Sequence, residues 1–466
     1  MFGKKDRKSE NIMILGLGGV GLYLTKRLAH EGHAITAVEQ DSGLIRQADG
    51  EVDARLIQGD AMRFRVWQEA GARAMDYLIA VTDNDAVNML SSVIAERMGI
   101  PTRIARVRSL EFGLESSIIT APDMKIDMVI HPEELTAREI QRLVKLRTGS
   151  VVVDIAEGRM HVMSTRVREG SPVTGKSLKE IAGMFPGFPF RIVSVARGIS
   201  TIIPDGDFVL RAYDQIFILV AAEFLPRLMD LSGEREEQHH RVMILGGGSV
   251  GCRVAELLGA EYEVRLIEKS EARAEELSAQ LPHTEVLHGD GSDANTLTQA
   301  GLLDMDTIIT ATWDNETNIM SCLLAKHLLQ EHGNGSSTRQ SKTIALVNKE
   351  EYLVLAATMG ADVVLNKKVL AANEILKFIR RGKLLSVAHL HGLDAEAVEI
   401  VAGPDAPITR KPLHQLDIIK EKIIIGGVHR DGDWHTAVGS THLRPGDRAI
   451  AVCTSLGLRE LQRLFL

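Results

Sequence analysis

Three glycines, Gly16, Gly18 and Gly21, followed by a carboxylate at Glu39, are the residues whose types and spacing suit a definite chemistry: holding the pyrophosphate and ribose of a nucleotide. In a GxGxxG turn the first glycine permits the tight bend, the second lets the backbone approach phosphate, and the third lets the next helix pack close to the strand. A helix starting there points free N–H groups and the positive end of its dipole at the anion. Glu39 comes 18 residues after Gly21, about where a ribose-binding acid belongs. Such a motif alone is weak, because glycine-rich turns abound in α/β proteins. Here it arrives with a strand, a helix, a second strand and a terminal acid in the required order.

The elements that position these residues can be read from hydrophobic runs. Ile12 to Leu15 form a short apolar run, as a parallel strand buried on both faces requires, and Ile35 to Val38 form a second that ends at Glu39. Further strands are expected at 54–61, ending in Gly59 and Asp60, at 76–85 with Thr82, at 103–108 with Arg106, and at 126–130. Residues 86–99 place Val87, Leu90, Ile94 and Met98 on one helical face. In an open parallel sheet the strand ends with Gly16, Glu39, Asp60, Thr82 and Arg106 share the carboxyl edge, where such sheets bind ligands. Residues 131–148 read as a linking helix with Ala137, Ile140 and Val144 on a common stripe. Strands at 151–156, 191–196 and 215–221 then suggest a small α+β domain, and 231–240 a polar linker.

The first half then begins again. Gly246, Gly248 and Gly251 each lie 230 positions after their counterparts, as do Asp290, Thr312 and Asn318 relative to Asp60, Thr82 and Asn88. A chance glycine turn would not bring an acid (Glu268), a Gly-Asp step and a T-x5-N element with it at matching spacing. Residues 333–341 are a loop insertion, and 366–381 repeat the linking helix, with Leu370, Glu374 and Ile375 echoing Leu135, Glu139 and Ile140. The last span repeats the small domain, with Arg211 and Asp214 matched by Arg444 and Asp447. The expected fold is therefore α/β: two tandem Rossmann-like parallel-sheet domains, each followed by a small α+β domain. The boundaries read as 9–130, a helix at 131–149, 150–230, 240–365, a helix at 366–382, and 383–466.

Composition excludes several classes. A formal net charge of −8 over 466 residues speaks against nucleic acid as the main partner. No apolar run approaches the ~20 residues of a membrane span, and the basic start with Lys4, Lys5, Arg7 and Lys8 lacks a signal peptide's apolar core, so a cytoplasmic protein is expected. Three cysteines, Cys252, Cys322 and Cys453, stand far apart without a CxxC, which suggests neither a disulfide framework nor zinc. His239 and His240 have no neighbouring ligands in sequence to complete a metal site.

GLGGVG with VEQD, QGDA, AVTDNDAVNM and RIARVR, then GGGSVG with LIEK, HGDG and ATWDNETNIMS, resembles the cytoplasmic regulatory subunits of Trk-type potassium-uptake systems over nearly the whole chain. These are built of tandem RCK (regulator of K⁺ conductance) units, each a Rossmann-like N-domain and a small C-domain. The resemblance implies binding of NAD(H) and of ATP/ADP, and a tetrameric ring on the inner face of the membrane beneath an integral K⁺-translocating subunit of the Trk/Ktr type. Carried over by position, the nucleotide contacts fall on Gly16, Leu17, Gly18, Gly19, Val20, Gly21, Glu39, Asp60, Ala61, Thr82, Asp83 and Arg106. In the second copy they fall on Gly246, Gly247, Gly248, Ser249, Val250, Gly251, Glu268, Asp290, Gly291, Thr312 and Trp313. The copies depart at Arg106, which aligns with Leu346 and leaves the second without that phosphate-pairing cation. They also differ at Leu17 against Gly247.

An NAD-dependent oxidoreductase competes, because dehydrogenases hold their cofactor in the same way. Hydride transfer needs a substrate domain that supplies an acid or base beside the nicotinamide. Here each Rossmann-like unit is followed by only about 80 residues, near the lower end of domain size. His161, His389, His391, His414, His429 and His435 do not recur at matching places in the two copies. A pure scaffold leaves the glycine turns and acids without a task. A regulator without catalytic residues or metal ranks first, the oxidoreductase second and the scaffold third.

Overall fold

The computed structural model describes residues 9–109, 111–113, 117–145, 152–167, 169–198, 200–232, 240–332, 341–380, 385–390, 393–416, 422–454 and 457–465. The basic start, most of the polar linker with His239, and nearly all of the 333–341 insertion lie outside these residues. The chain divides into two compact units, residues 1–135 with Lys368–Ile379, and residues 136–367 with 380–466.

In the first unit, strands Asn11–Leu15, Ala34–Glu39, Arg55–Gln58, Tyr77–Ala80, Thr102–Arg106 and Met128–Ile130 form one parallel sheet in the order 3-2-1-4-5-6. This is the doubly wound order, in which the polarity of strand addition reverses beside the first strand and opens a crevice at the carboxyl edge. Ile12, Met13, Ile14 and Leu15 are wholly buried, as a central strand covered by helices on both faces must be. Met13, Leu15, Leu78 and Ala80 join Val66, Trp67, Ala70 and Ala72 in one core, and the Trp67 indole donates to the Ala61 carbonyl at 2.7 Å. The helix Lys367–Ile379, which follows the second Rossmann domain in sequence, belongs from Lys368 onward to this first unit.

The second unit contains the repeat. Arg241–Leu245, Glu263–Glu268, Thr284–His288, Thr307–Thr310, Lys342–Val347 and Val363–Asn366 form a six-stranded parallel sheet in the same order. The body of the helix Pro132–Lys145 packs here. Ala137, Ile140, Leu143 and Val144 are buried, Gln141 donates to the Leu257 carbonyl at 2.9 Å, and the buried Lys342 ammonium donates to the Leu143 carbonyl at 2.8 Å. A cation among the last carbonyls of a helix satisfies orphan acceptors and complements the dipole.

Both small domains are five-stranded antiparallel sheets. Their orders are 200–202, 190–197, 215–221, 160–166, 152–155 and 433–436, 423–430, 448–454, 395–401, 386–389. Met160–Arg166 and Ser200–Ile202 are additions to the three strands expected in the first. Each sheet carries a bulge at the same place, Ile192/Ser194 and Ile425/Gly427. In the strand Gln215–Ala221, Ile216, Ile218 and Val220 face the domain's own core while Phe217 and Leu219 join Ile424, Ile450 and Val452 in a core shared by the two small domains. A Cβ on Gly426 would lie 2.5 Å from the Leu219 side chain, so a glycine at the bulge is what lets the sheets meet there.

Candidate functional site

Each glycine of the first turn has a separate physical task. Gly16 adopts φ +93°, with a built Cβ 3.0 Å from the Thr82 backbone, so a side chain there is both strained and crowded. A Cβ on Gly21 would lie 1.9 Å from the Gly16 carbonyl oxygen, while one on Gly18 would meet nothing within 4 Å. Gly18 therefore faces open space, which would let a phosphate approach the backbone. The helix Gly19–His30 starts directly after it with no side-chain cap and no acid in its first turn, which leaves its N–H groups available. The second turn repeats this with Gly246 at φ +103° and a Cβ on Gly251 only 2.0 Å from the Gly246 carbonyl.

The acids brace the turns. Glu39 accepts from the Leu17 amide at 2.7 Å and, through its other oxygen, from Gln40 and Asp41. Glu268 accepts from Gly247 at 2.8 Å and from Ser270 at 2.8 Å. A carboxylate held in this way keeps lone pairs for ribose hydroxyls.

The T-x5-N element is a clamp across the edge. The Asn88 carbonyl oxygen accepts from the Thr82 amide at 3.0 Å and hydroxyl at 2.7 Å, and its amide donates to the carbonyls of Thr82 and Arg106 at 3.0 and 2.9 Å. Asn318 makes the same four bonds to Thr312 and Leu346, at 2.8, 2.7, 3.0 and 2.8 Å. One buried amide thus ties the ends of the fourth and fifth strands together in each copy.

The turn in the second copy opens into a cavity of about 490 Å³ lined by Gly246, Gly247, Gly248, Glu268, Asp290, Gly291, Thr312 and Trp313, all of them residues the resemblance points to. Ser249, Val250 and Gly251 are not among its lining residues, and Val250 and Gly251 are buried. Reading the sequence missed Lys269 and Arg273, which line the cavity and supply cations where Leu346 does not. Both are engaged by acids. Lys269 meets Asp290 at 2.8 Å and Arg273 meets Glu276 at 2.6 Å. The Lys269 ammonium and the Ser292 hydroxyl and amide hold the Asp290 carboxyl far below the usual carboxylate range. Lys269 follows Glu268 directly, where the first copy has Gln40, so a residue-by-residue comparison of the copies carried that signal. The exposed Trp313 indole has the Lys367 ammonium 5.6 Å from its ring centroid. Among the described residues, no histidine lines this cavity.

In the first copy Leu17, Val20 and Ala61 are buried and serve packing, Asp60 accepts from the Met62 amide at 2.8 Å, and the Asp83 carbonyl accepts from Arg108. Arg106 is half-buried at the end of the fifth strand, and its Nε has no hydrogen-bond partner among the described residues. Burial lowers its pKa, partly offset by Glu133. A desolvated guanidinium at the carboxyl edge is a group that an incoming phosphate would stabilise. Leu17 against Gly247 proves to be an exchange of volume. A Cβ on Gly247 would lie 2.2 Å from Leu277, so Leu277 fills space in the second copy, while Ala48 stands at its aligned position in the first, where Leu17 is buried.

The fold and edge define a tandem Rossmann protein of the RCK type. The TrkA-N domain family matches residues 12–132 and 242–367, and the TrkA-C domain family residues 162–233. The chain is 30% identical over 459 residues to the Trk system potassium uptake protein TrkA of Halomonas elongata, covering 97% of this chain and 98% of that protein. It is 31% identical over 461 residues to the protein of the same name from Haemophilus influenzae, with the same coverage. The chain belongs to the TrkA family. Among solved structures, the GsuK RCK domain superposes with a TM-score of 0.56 at 20% identity, covering 99% of this chain and 96% of that one. The GsuK channel bound to NAD gives 0.55 at 20% identity, covering 99% and 80%. No described helix is long and apolar enough to cross a membrane, and no group of three or more His, Cys, Asp or Glu among the described residues is placed to hold a metal.

Proposed function

We propose that the chain is the peripheral cytoplasmic regulatory subunit of a membrane K⁺-translocating system, assembled as a homo-oligomeric ring, which binds NAD(H) and adenine nucleotides and has no turnover of its own. The observation that carries this reading is the paired carboxyl edge: a glycine turn open at Gly18 and Gly248 and an acid braced on the turn's own amide, in a family whose relatives are named for potassium uptake. NAD in the GsuK channel structure supports the choice of dinucleotide. The domain boundaries proposed are 9–130 and 240–365 for the nucleotide-binding domains, 131–149 and 366–382 for the linking helices, and 150–230 and 383–466 for the small domains. Glu39 and Glu268 receive ribose hydroxyls, the turns 16–21 and 246–251 receive pyrophosphate, and Asp60, Thr82, Asp83, Asp290, Gly291, Thr312 and Trp313 complete the edges.

The bound nucleotide supplies charge and contacts, and the protein's part is to convert occupancy into a change of ring shape. Couplings of about 1–3 kcal/mol are typical of such linkage, enough for roughly fivefold to hundredfold changes in transport. K⁺ flux in vesicles reconstituted from the chain and its membrane fraction should therefore change with ATP, ADP or NADH. Flux indifferent to all three, together with steady NADH oxidation against a small-molecule panel, would establish the oxidoreductase instead.

A further inference from the structure

The first glycine turn is completed by a residue from the other repeat. Lys368, the second residue of the helix Lys367–Ile379, lies along Gly19: a Cβ built on Gly19 would be 2.3 Å from Lys368 Cδ, 2.5 Å from Cε and 2.6 Å from Nζ. A side chain at position 19 would push the end of this lysine aside, so the lysine lies directly over the turn. The ammonium is thereby placed beside the first residue of the helix Gly19–His30, whose N-terminus has neither an acidic residue in its first turn nor a side-chain cap.

The two linking helices differ in the charge of their first turns. The first turn of Lys367–Ile379 carries two lysines and no acid, the wrong sign for the positive end of a helix dipole. The linking helix of the first repeat has Glu133 and Glu134 in its first turn, the favourable sign. By the register that matches Leu370 to Leu135, Lys368 stands where the first repeat has Glu133. Lys368 therefore brings a cation to a second helix N-terminus in the same unit as Arg106, whose buried Nε has no hydrogen-bond partner among the described residues.

We propose that Lys368 is a phosphate-contacting residue of the first nucleotide site, donating to the pyrophosphate shared by NAD(H) and the adenine di- and triphosphates. The inference rests on the nucleotide-binding reading above. Its consequence is that a phosphorylated nucleotide ties the second repeat's linking helix to the first repeat's glycine turn, whereas an unphosphorylated nucleoside does not. Occupancy of the first site is then sensed by an element that leads directly into the last small domain.

The test is calorimetric titration of the full chain with ADP, NADH and adenosine. It is made in a Gly248→Asp background, where the added carboxylate repels phosphate from the second turn. That position is a helix N-cap with φ −61°-like extended geometry in both copies, at φ −68° in the second, and its Cβ would meet only Trp313 at 3.6 Å, so Asp is tolerated. Lys368→Met keeps the aliphatic stem and removes the charge. A lost charge-assisted hydrogen bond predicts roughly tenfold to hundredfold weaker ADP and NADH binding. Adenosine affinity should be unchanged, the salt dependence of ADP binding shallower, and Lys368→Arg should restore most of the loss. Wild-type-like ADP binding by Lys368→Met, or an equal loss for adenosine, overturns the inference and leaves the nucleotide reading standing. Failure of the parent chain to bind either nucleotide removes both.

Discussion

The carboxyl edges of the two parallel sheets share a backbone and differ in their charges. Gly16 and Gly246, Gly21 and Gly251, Glu39 and Glu268, and Asn88 and Asn318 occupy equivalent positions with nearly the same distances. Around that common frame, Arg106 is exchanged for Leu346, Gln40 for Lys269, Asp83 for Trp313 and Gly19 for Ser249. Residues that set backbone geometry cannot change singly without a clash or an orphaned polar group. Those facing the open edge carry no such backbone constraint, so the copies are free to diverge there.

The largest effect should come from breaking the shared frame. Asn88 and Asn318 are fully buried and each makes four hydrogen bonds. Truncation strands a threonine amide and two carbonyls away from water. Asn88→Ala and Asn318→Ala should each cost about 2–4 kcal/mol in denaturant unfolding, and by similar amounts. A large loss in one copy and none in the other would show that the clamps are not equivalent.

This element shows how far the sequence is legible. The T-x5-N spacing marks the edge without betraying that it clamps two strands, because the fifth strand's partner carbonyl is supplied 18 residues later, by Arg106, and 28 residues later, by Leu346. The glycines were legible because each demand is local. The strand Met160–Arg166 was not, since both its faces are buried: Met160 and Val162 enter the core shared by the small domains and Met163 the other, so no alternation of apolar and polar residues appears. Lys368 was out of reach because its helix belongs to the compact unit of the other repeat's sheet, a tertiary choice that no local pattern encodes.

A second, smaller effect separates the copies. Arg106→Leu writes the second copy's residue into the first. Its backbone carbonyl still serves Asn88, and loss of a desolvated cation leaves no buried donor behind, so stability should hold. ADP affinity at the first site should fall about tenfold, or about 1.4 kcal/mol, in calorimetry. Unchanged affinity would assign Arg106 to structure and leave phosphate to the turn alone.

The smallest effect lies behind the edge, at Cys322, which occupies the position of Ser92. The Ser92 hydroxyl, fully buried, donates to the Asn88 carbonyl at 3.2 Å. Cys322 is equally buried, and burial pushes its thiol up to about 12, against a weaker opposing bond from Thr343. An unfolded cysteine titrates near ~8.5. The native state therefore keeps a proton that the unfolded chain releases, so this group's contribution is intact below the unfolded value and is lost as pH rises towards 12. By pH 9.5 the loss should be about 1 kcal/mol. Cys322→Ser copies the first repeat and removes the titrating group. Urea unfolding at pH 7 and pH 9.5 should show wild type losing more stability than the variant over that interval, while at pH 7 the two differ by less than about 1 kcal/mol. Equal losses would mean that the thiol is not held protonated by burial, and that the second sheet opens to solvent behind its edge where the first does not.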